Sequence, residues 1–192
     1  MALATWVSRL SHPFLVPVPA LVAALRLDGV AWTTALAWTA LCVAVGIVPP
    51  TLLLLAQRLR RGDGDWYVTV REQRVGLYAL GIACLAALLA IARVAGAPRL
   101  LVPALLAALV AAAIGALVNR RTKISVHVGA ATGCAVLLAH GAPRAAAPLA
   151  ALVVLVAWSR LRLGQHTPSQ VLLGAAIAAA CITTSLALLP PP

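Results

Sequence analysis

The chain has 192 residues, of which 63% are hydrophobic and 10% charged, and its mean hydropathy is +1.02. A water-soluble domain carries about a quarter charged residues, so these proportions exclude that class and describe an integral membrane protein. Fifteen Lys and Arg against four Asp and Glu give a net charge of +11. Scattered over short loops, that surplus argues against nucleic acid and for topology-setting charges, anionic head groups or a phosphorylated substrate.

The length allows roughly five to seven helical spans and no separate soluble domain, so the chain reads as one integral membrane domain over residues 1–192. The expected fold class is all-α, a polytopic transmembrane helical bundle of six or seven hydrophobic segments. In chain order, residues 13–27 form a short apolar stretch with Pro13, Pro17 and Pro19. It fits a short span, a re-entrant piece or an interfacial helix. Those prolines, with no clean small-residue cleavage pattern, argue against a signal peptide despite Arg9. Residues 30–57 form a long run that Pro49 and Pro50 should kink, ending in Arg58, Arg60 and Arg61. A turn-rich loop from Gly62 to Tyr67 leads to Arg71 and Arg74. Asp63 and Asp65 in that loop are explained as well by a glycine-rich turn as by a metal.

Runs over 75–95 and 99–118 follow, joined at Gly96–Pro98 by a connection that fits only a tight antiparallel hairpin. The next runs cover 125–138 and 145–158, joined through His140 and Pro143, and the last covers 168–189. Cys42, Cys84, Cys134 and Cys181 all fall inside apolar runs without close spacing, so they read as small buried hydrophobes rather than disulfide or zinc ligands. The spans carry almost no ionisable residue, which argues against an ion-coupled transporter.

Counting spans from residue 30 onward sorts the polar residues. Arg71 and Arg74, then Lys123, Ser125 and His127, then Arg160 and His166 all fall on one membrane face. His140, Arg93, Arg99 and Arg144 fall on the other. Trp66, Tyr67, Tyr78 and Trp158 lie near the first face, as interfacial aromatics should. A single helix-end histidine is usually interfacial, which is the reading for His12 and His140. Gly129 and Gly133 read as a helix-packing pair. The cations, the Ser125 hydroxyl and helix N-termini suit a phosphate dianion and the charge of a phosphoryl-transfer transition state. Two histidines add a nucleophile and a general acid–base.

These residues resemble the signature motifs of the type 2 phosphatidic acid phosphatase superfamily, membrane lipid phosphatases related to vanadium haloperoxidases. The third motif, Ser-Arg, five residues, His, three residues, Asp, is met by Ser159, Arg160 and His166, with Gln170 in the Asp position. The second, Pro-Ser-Gly-His, is met by Ser125 and His127, with Ile124 and Val126 replacing Pro and Gly. The first, a Lys six residues ahead of Arg-Pro, is met only at Arg74, with Val75 and Tyr67 in the other positions.

The resemblance covers about residues 60–180, with 1–57 as additional N-terminal hydrophobic segments. It implies a membrane phosphatase without metal or other cofactor. His166 would form a phosphohistidine, His127 would be the general acid and base, and Arg74, Ser125 and Arg160 would hold phosphate oxygens. Lys123 or Arg71 is expected to supply the missing first-motif charge. Gln170 either orients His166 or caps the following helix, since Thr167-Pro168-Ser169-Gln170 is a capping box with proline at the first helical position.

The implied partners are the bilayer and a phosphorylated lipid. Polyprenyl phosphate or diphosphate comes first, then prenyl-sugar phosphate and glycerolipid phosphate; self-association is left open. The reading from another class is a non-catalytic lipid-binding protein with degenerate motifs. By span parity eleven basic residues share the face of the site, against Arg26, Arg93, Arg99 and Arg144 opposite. Without Arg71, Arg74, Lys123 and Arg160 the balance is still seven to four, which puts the site in the cytoplasm.

Overall fold

The computed structural model describes residues 1–61 and 74–188, with Arg61 as main chain only. Arg71, the Gly62–Tyr67 loop with Asp63, Asp65 and Trp66, and the side chain of Arg61 lie outside the described residues. The described chain is an all-helical bundle. It comprises α1 (Ala2–Leu10), α2 (Pro17–Leu27), α3 (Trp32–Cys42), α4 (Val48–Arg61), α5 (Arg74–Val94), α6 (Leu101–Val118), α7 (Val126–Gly141), α8 (Ala146–Arg162) and α9 (Pro168–Ala187).

Among the described residues five stretches are long and apolar enough to cross a membrane, so the protein is multi-pass. The first, Trp32–Arg60, joins α3 to α4 through a π-helical turn at Val43–Ile47. That turn falls just before Pro49 and Pro50, which lack the N–H groups needed to continue an α-helical ladder. Thr51 reinforces the junction by donating its hydroxyl to the Ile47 carbonyl at 2.8 Å. The expected proline irregularity is thus a widened turn inside one span.

Within residues 13–27, α2 is an 11-residue apolar helix, shorter than the stretches long enough to cross a membrane. At one end of α2, the His12 ring lies edge-on to His127 at the start of α7, 5.5 Å between centroids. At the other end Leu27 packs against Gly141, the last residue of α7, where an added Cβ would lie 3.0 Å from the leucine Cβ. The proline-rich stretch therefore runs the length of α7, itself one of the shorter apolar helices. Beyond it, Asp28 accepts from Arg99 in the α5–α6 turn at 2.9 Å, and the Arg26 guanidinium lies 4.8 Å over the Trp32 ring. These contacts close the end of the bundle away from His127.

That closed end also holds the main core, with Leu25, Leu88, Leu101, Leu105, Ile182 and Leu186 buried together. A smaller cluster of Val128, Ala131, Val156 and Val171 lies between α7, α8 and α9. Large apolar side chains elsewhere point outward, including Val94, Val154 and Leu172. In water such a surface would associate; in a bilayer it is the expected coat. The four cysteines are free thiols on helices, with Cys84 buried and the others half-buried. The helices leave a cavity of about 510 Å³ that extends from His127 and His166 to Leu88, Leu101, Leu105 and Ile182 of the main core.

Candidate active site

Residue spacing in the α8–α9 connection has a local cause. α8 ends at Arg162 and Gly164 adopts φ +64°, a left-handed conformation that glycine tolerates best. The Gly164 N–H donates to the Leu161 carbonyl at 3.0 Å and the Gln165 N–H to the Arg160 carbonyl at 3.1 Å. This Schellman pair reverses the chain within one turn. Arg160, in the last turn of α8, and His166, just before α9, therefore line the same cavity. Ser159, the first residue of the motif, instead donates back to the Val156 carbonyl at 2.7 Å and serves its own helix.

The second motif is held against the third by backbone. Ser125 caps α7, its side chain accepting from the Val128 N–H at 3.5 Å, and its own N–H donates to the Gln170 carbonyl at 3.1 Å. Such close approach requires Gly174, where a Cβ would stand 2.6 Å from the Ser125 carbonyl oxygen. Gly129 faces the same contact from α7, 3.3 Å from the Gly174 carbonyl oxygen by the same measure, whereas Gly133 meets nothing within 4 Å. Of the glycine pair expected from sequence, only Gly129 has that packing role. The N-termini of α7 and α9 thus meet side by side, an arrangement that favours an anion.

Arg74, at the start of α5, reaches over to donate to the Ile124 carbonyl at 3.3 Å. Arg74, Ser125, His127, Arg160 and His166 all line the one cavity. Ser125, His127, Arg160 and His166 are buried. Lys123 is half-buried in the α6–α7 connection, outside the cavity wall, and its charge still reaches His166. Arg71 lies outside the described residues.

Gln170 takes both roles that the sequence offered. Its side-chain oxygen accepts from the Thr167 N–H at 3.3 Å, while the Thr167 hydroxyl accepts from the Gln170 N–H at 3.4 Å, completing the capping box. The same oxygen lies 3.1 Å from Nδ1 of His166. Because the Thr167 N–H requires an acceptor, the amide oxygen must face this side. Nδ1 of His166 is therefore the protonated nitrogen, and the lone pair of the neutral ring is on Nε2. Burial lowers the His166 pKa to about 4, with Arg160, Arg74 and Lys123 adding to the effect and the Gln170 hydrogen bond opposing it.

Two residues were misjudged from sequence. Tyr78 does not sit as an interfacial aromatic: one helical turn after Arg74, it lines the cavity with its hydroxyl buried. His12 is not an isolated helix-end histidine but part of the cavity wall beside His127. The signal for Tyr78 was its i, i+4 spacing from Arg74, which places both on one helix face. His140, by contrast, is exposed at the far end of α7.

Comparison with known families bears on these residues directly. Residues 113–191 match the PAP2 superfamily. This is the type 2 phosphatidic acid phosphatase superfamily whose motifs the chain resembles, and the match takes in the whole of α7, α8 and α9. The PAP2 match supports a phosphatase-type activity on phosphate esters. Arg74 precedes the matched segment, as do α1 and α2. No curated protein and no solved structure matches the chain.

Proposed function

We propose that the protein is a membrane-embedded phosphatase acting on a lipid phosphate or diphosphate, with polyprenyl or prenyl-sugar phosphates favoured and glycerolipid phosphates second. The observation that carries this reading is a single cavity with Arg74, Ser125, His127, Arg160 and His166 at one end and an apolar wall of helix faces leading away from them. Arg74, Arg160 and Ser125, with Lys123 and Arg71 contributing charge, would bind the phosphate oxygens. Nε2 of His166 attacks phosphorus as the bond to the lipid-side oxygen breaks, and His127 gives that oxygen a proton. His127 then takes a proton from water, whose oxygen attacks the phosphohistidine. Inorganic phosphate leaves and His166 returns to its neutral form.

The apolar wall, formed by residues such as Leu77, Leu85, Ala108 and Ile177, suits the hydrocarbon part of the substrate. Among the described residues the connections are short and form no head-group domain, so recognition would rest on the phosphate and the hydrocarbon chain. The seven-to-four balance of basic residues supports a site on the cytoplasmic face of the cell membrane. Phosphate release from a prenyl phosphate by detergent-solubilised protein tests the proposal: wild type should turn over and His166→Ala should not. Equal release from both would overturn it. Gln170 in place of the usual Asp favours one second reading, a lipid-phosphate binder without turnover, which predicts that neither releases phosphate although both bind it.

A further inference from the structure

α1 has no counterpart among the apolar runs of the sequence, and its inner face carries a pattern of its own. Ala4, Ser8 and Ser11 are buried at i, i+4 and i+7, while Leu3, Trp6 and Leu10 are exposed. The helix packs on α8, the element that ends with Ser159 and Arg160. There the fully buried Ser8 hydroxyl accepts from Nη1 of Arg160, which is itself only 3% exposed. One turn further, His12 enters the cavity wall edge-on to His127. The Phe14 N–H donates to Nδ1 of His12 at 3.3 Å, so the neutral His12 ring carries its proton on Nε2.

Small hydroxyl residues often fill helix contacts, and Ser8 would need no further role if its partner were a neutral backbone group. A partner it does have is a buried cation in the wall of the phosphate cavity. A guanidinium is a planar fork, so fixing Nη1 fixes the directions of its other N–H groups. We propose that the N-terminal segment is part of the phosphate site, with Ser8 the positioning residue that orients Arg160 toward the phosphate and His12 bracing His127 from the same side. The role assigned to Ser8 rests on the phosphatase reading only for its effect on turnover; its effect on phosphate binding is independent of turnover.

The test uses the full chain in detergent and inorganic phosphate as the probe, reading the phosphate-induced rise in Tm and, with prenyl phosphate, KM and kcat. Ser8→Ala is expected to weaken phosphate binding about tenfold, the effect of losing a hydrogen bond to a charged group, and to raise KM more than it lowers kcat. Ser8→Thr, which keeps the hydroxyl, should restore both. Arg160→Ala should lose the phosphate-induced shift, whereas His166→Ala should keep the shift and lose turnover. Loss of turnover in wild type with the Ser8 effect on binding intact would count against the phosphatase reading and for this one. Wild-type phosphate binding in Ser8→Ala would overturn it, as would a wild-type protein without any phosphate-induced shift. A variant with lowered Tm but unchanged phosphate shift would assign Ser8 to packing alone, against the proposal.

Discussion

Gln170 carries two donors on one oxygen, the Thr167 N–H at 3.3 Å and His166 Nδ1 at 3.1 Å. Its substitutions therefore separate helix capping from imidazole orientation. Gln170→Leu loses both contacts and should cost about 1 kcal/mol of stability together with most of the turnover. Gln170→Glu keeps the acceptor geometry and adds a negative charge, which stabilises the imidazolium and moves the His166 pKa upward from about 4. For wild type, His166 is expected to be neutral at all pH values above that point. The acid limb of kcat/KM should consequently fall near pH 4, and at a higher pH in Gln170→Glu. The same shift has a stability consequence with a definite sign. A histidine whose folded pKa lies below its unfolded value is increasingly opposed to folding as pH drops from about 6.5 toward 4, so thermal stability should decline over that interval. A wild-type acid limb at 6.5 would remove the support for a buried, neutral nucleophile.

Among the elements, the joint between α7 and α9 is the most constrained. Gly174→Ala would bring a Cβ to 2.6 Å from the Ser125 carbonyl oxygen, and that atom is backbone, so the helices must separate. Overpacking of this kind costs roughly 1–3 kcal/mol. It also opens the bond from the Ser125 N–H to the Gln170 carbonyl, so turnover should fall with Tm. Gly133→Ala, with nothing within 4 Å, serves as the comparison and should leave both unchanged. In the α8–α9 connection, Gly164→Ala must hold φ near +64° and should lose about 1–2 kcal/mol, again with reduced turnover, because the Schellman turn is what brings His166 to the cavity of Arg160. Differential scanning in detergent alongside phosphate release reads each of these variants.

Much of this architecture was legible in the residues. Apolar runs of about 20 residues mark the spans because the hydrocarbon thickness fixes their length. Span parity alone puts Arg74, Ser125, His127, Arg160 and His166 at one face, and the capping box at Thr167 is readable letter by letter. α1 was not legible in the same way. A nine-residue helix is too short for a span, so hydropathy and parity say nothing of it; Ser8 has no role in the sequence reading, and His12 reads there as interfacial. Its signal was Ala4, Ser8 and Ser11 on one face and Leu3, Trp6 and Leu10 on the other, but only tertiary contact with α8 shows what the small-residue face meets. The Gln170 ambiguity lasted for a similar reason: sequence cannot tell that one oxygen reaches two donors.

At the scale of the whole molecule, the bundle is tied at one end by Asp28 and Arg99, and the end marked by three helix N-termini opens into a cavity whose apolar wall continues to Leu88, Leu101 and Ile182 of the main core. Core packing and the cavity wall thus share residues, and only the tie at the far end stands apart from the chemistry. Substitution of Asp28 by Ala, which removes an exposed contact at the tied end, should leave turnover unchanged. The proposed orientation is tested by a membrane-impermeant thiol reagent applied to inside-out and right-side-out vesicles of Arg162→Cys. Labelling in inside-out vesicles alone is the expected result.

A covalent bond from phosphorus to His166 is the proposed intermediate, and rapid-quench trapping with a radiolabelled prenyl phosphate measures that bond. An acid-labile, base-stable phosphoenzyme is expected on the peptide containing His166, absent from His166→Ala and formed more slowly in His127→Ala, where the leaving oxygen is no longer protonated. Turnover that persists in His166→Ala, or a label on any other residue, would contradict it.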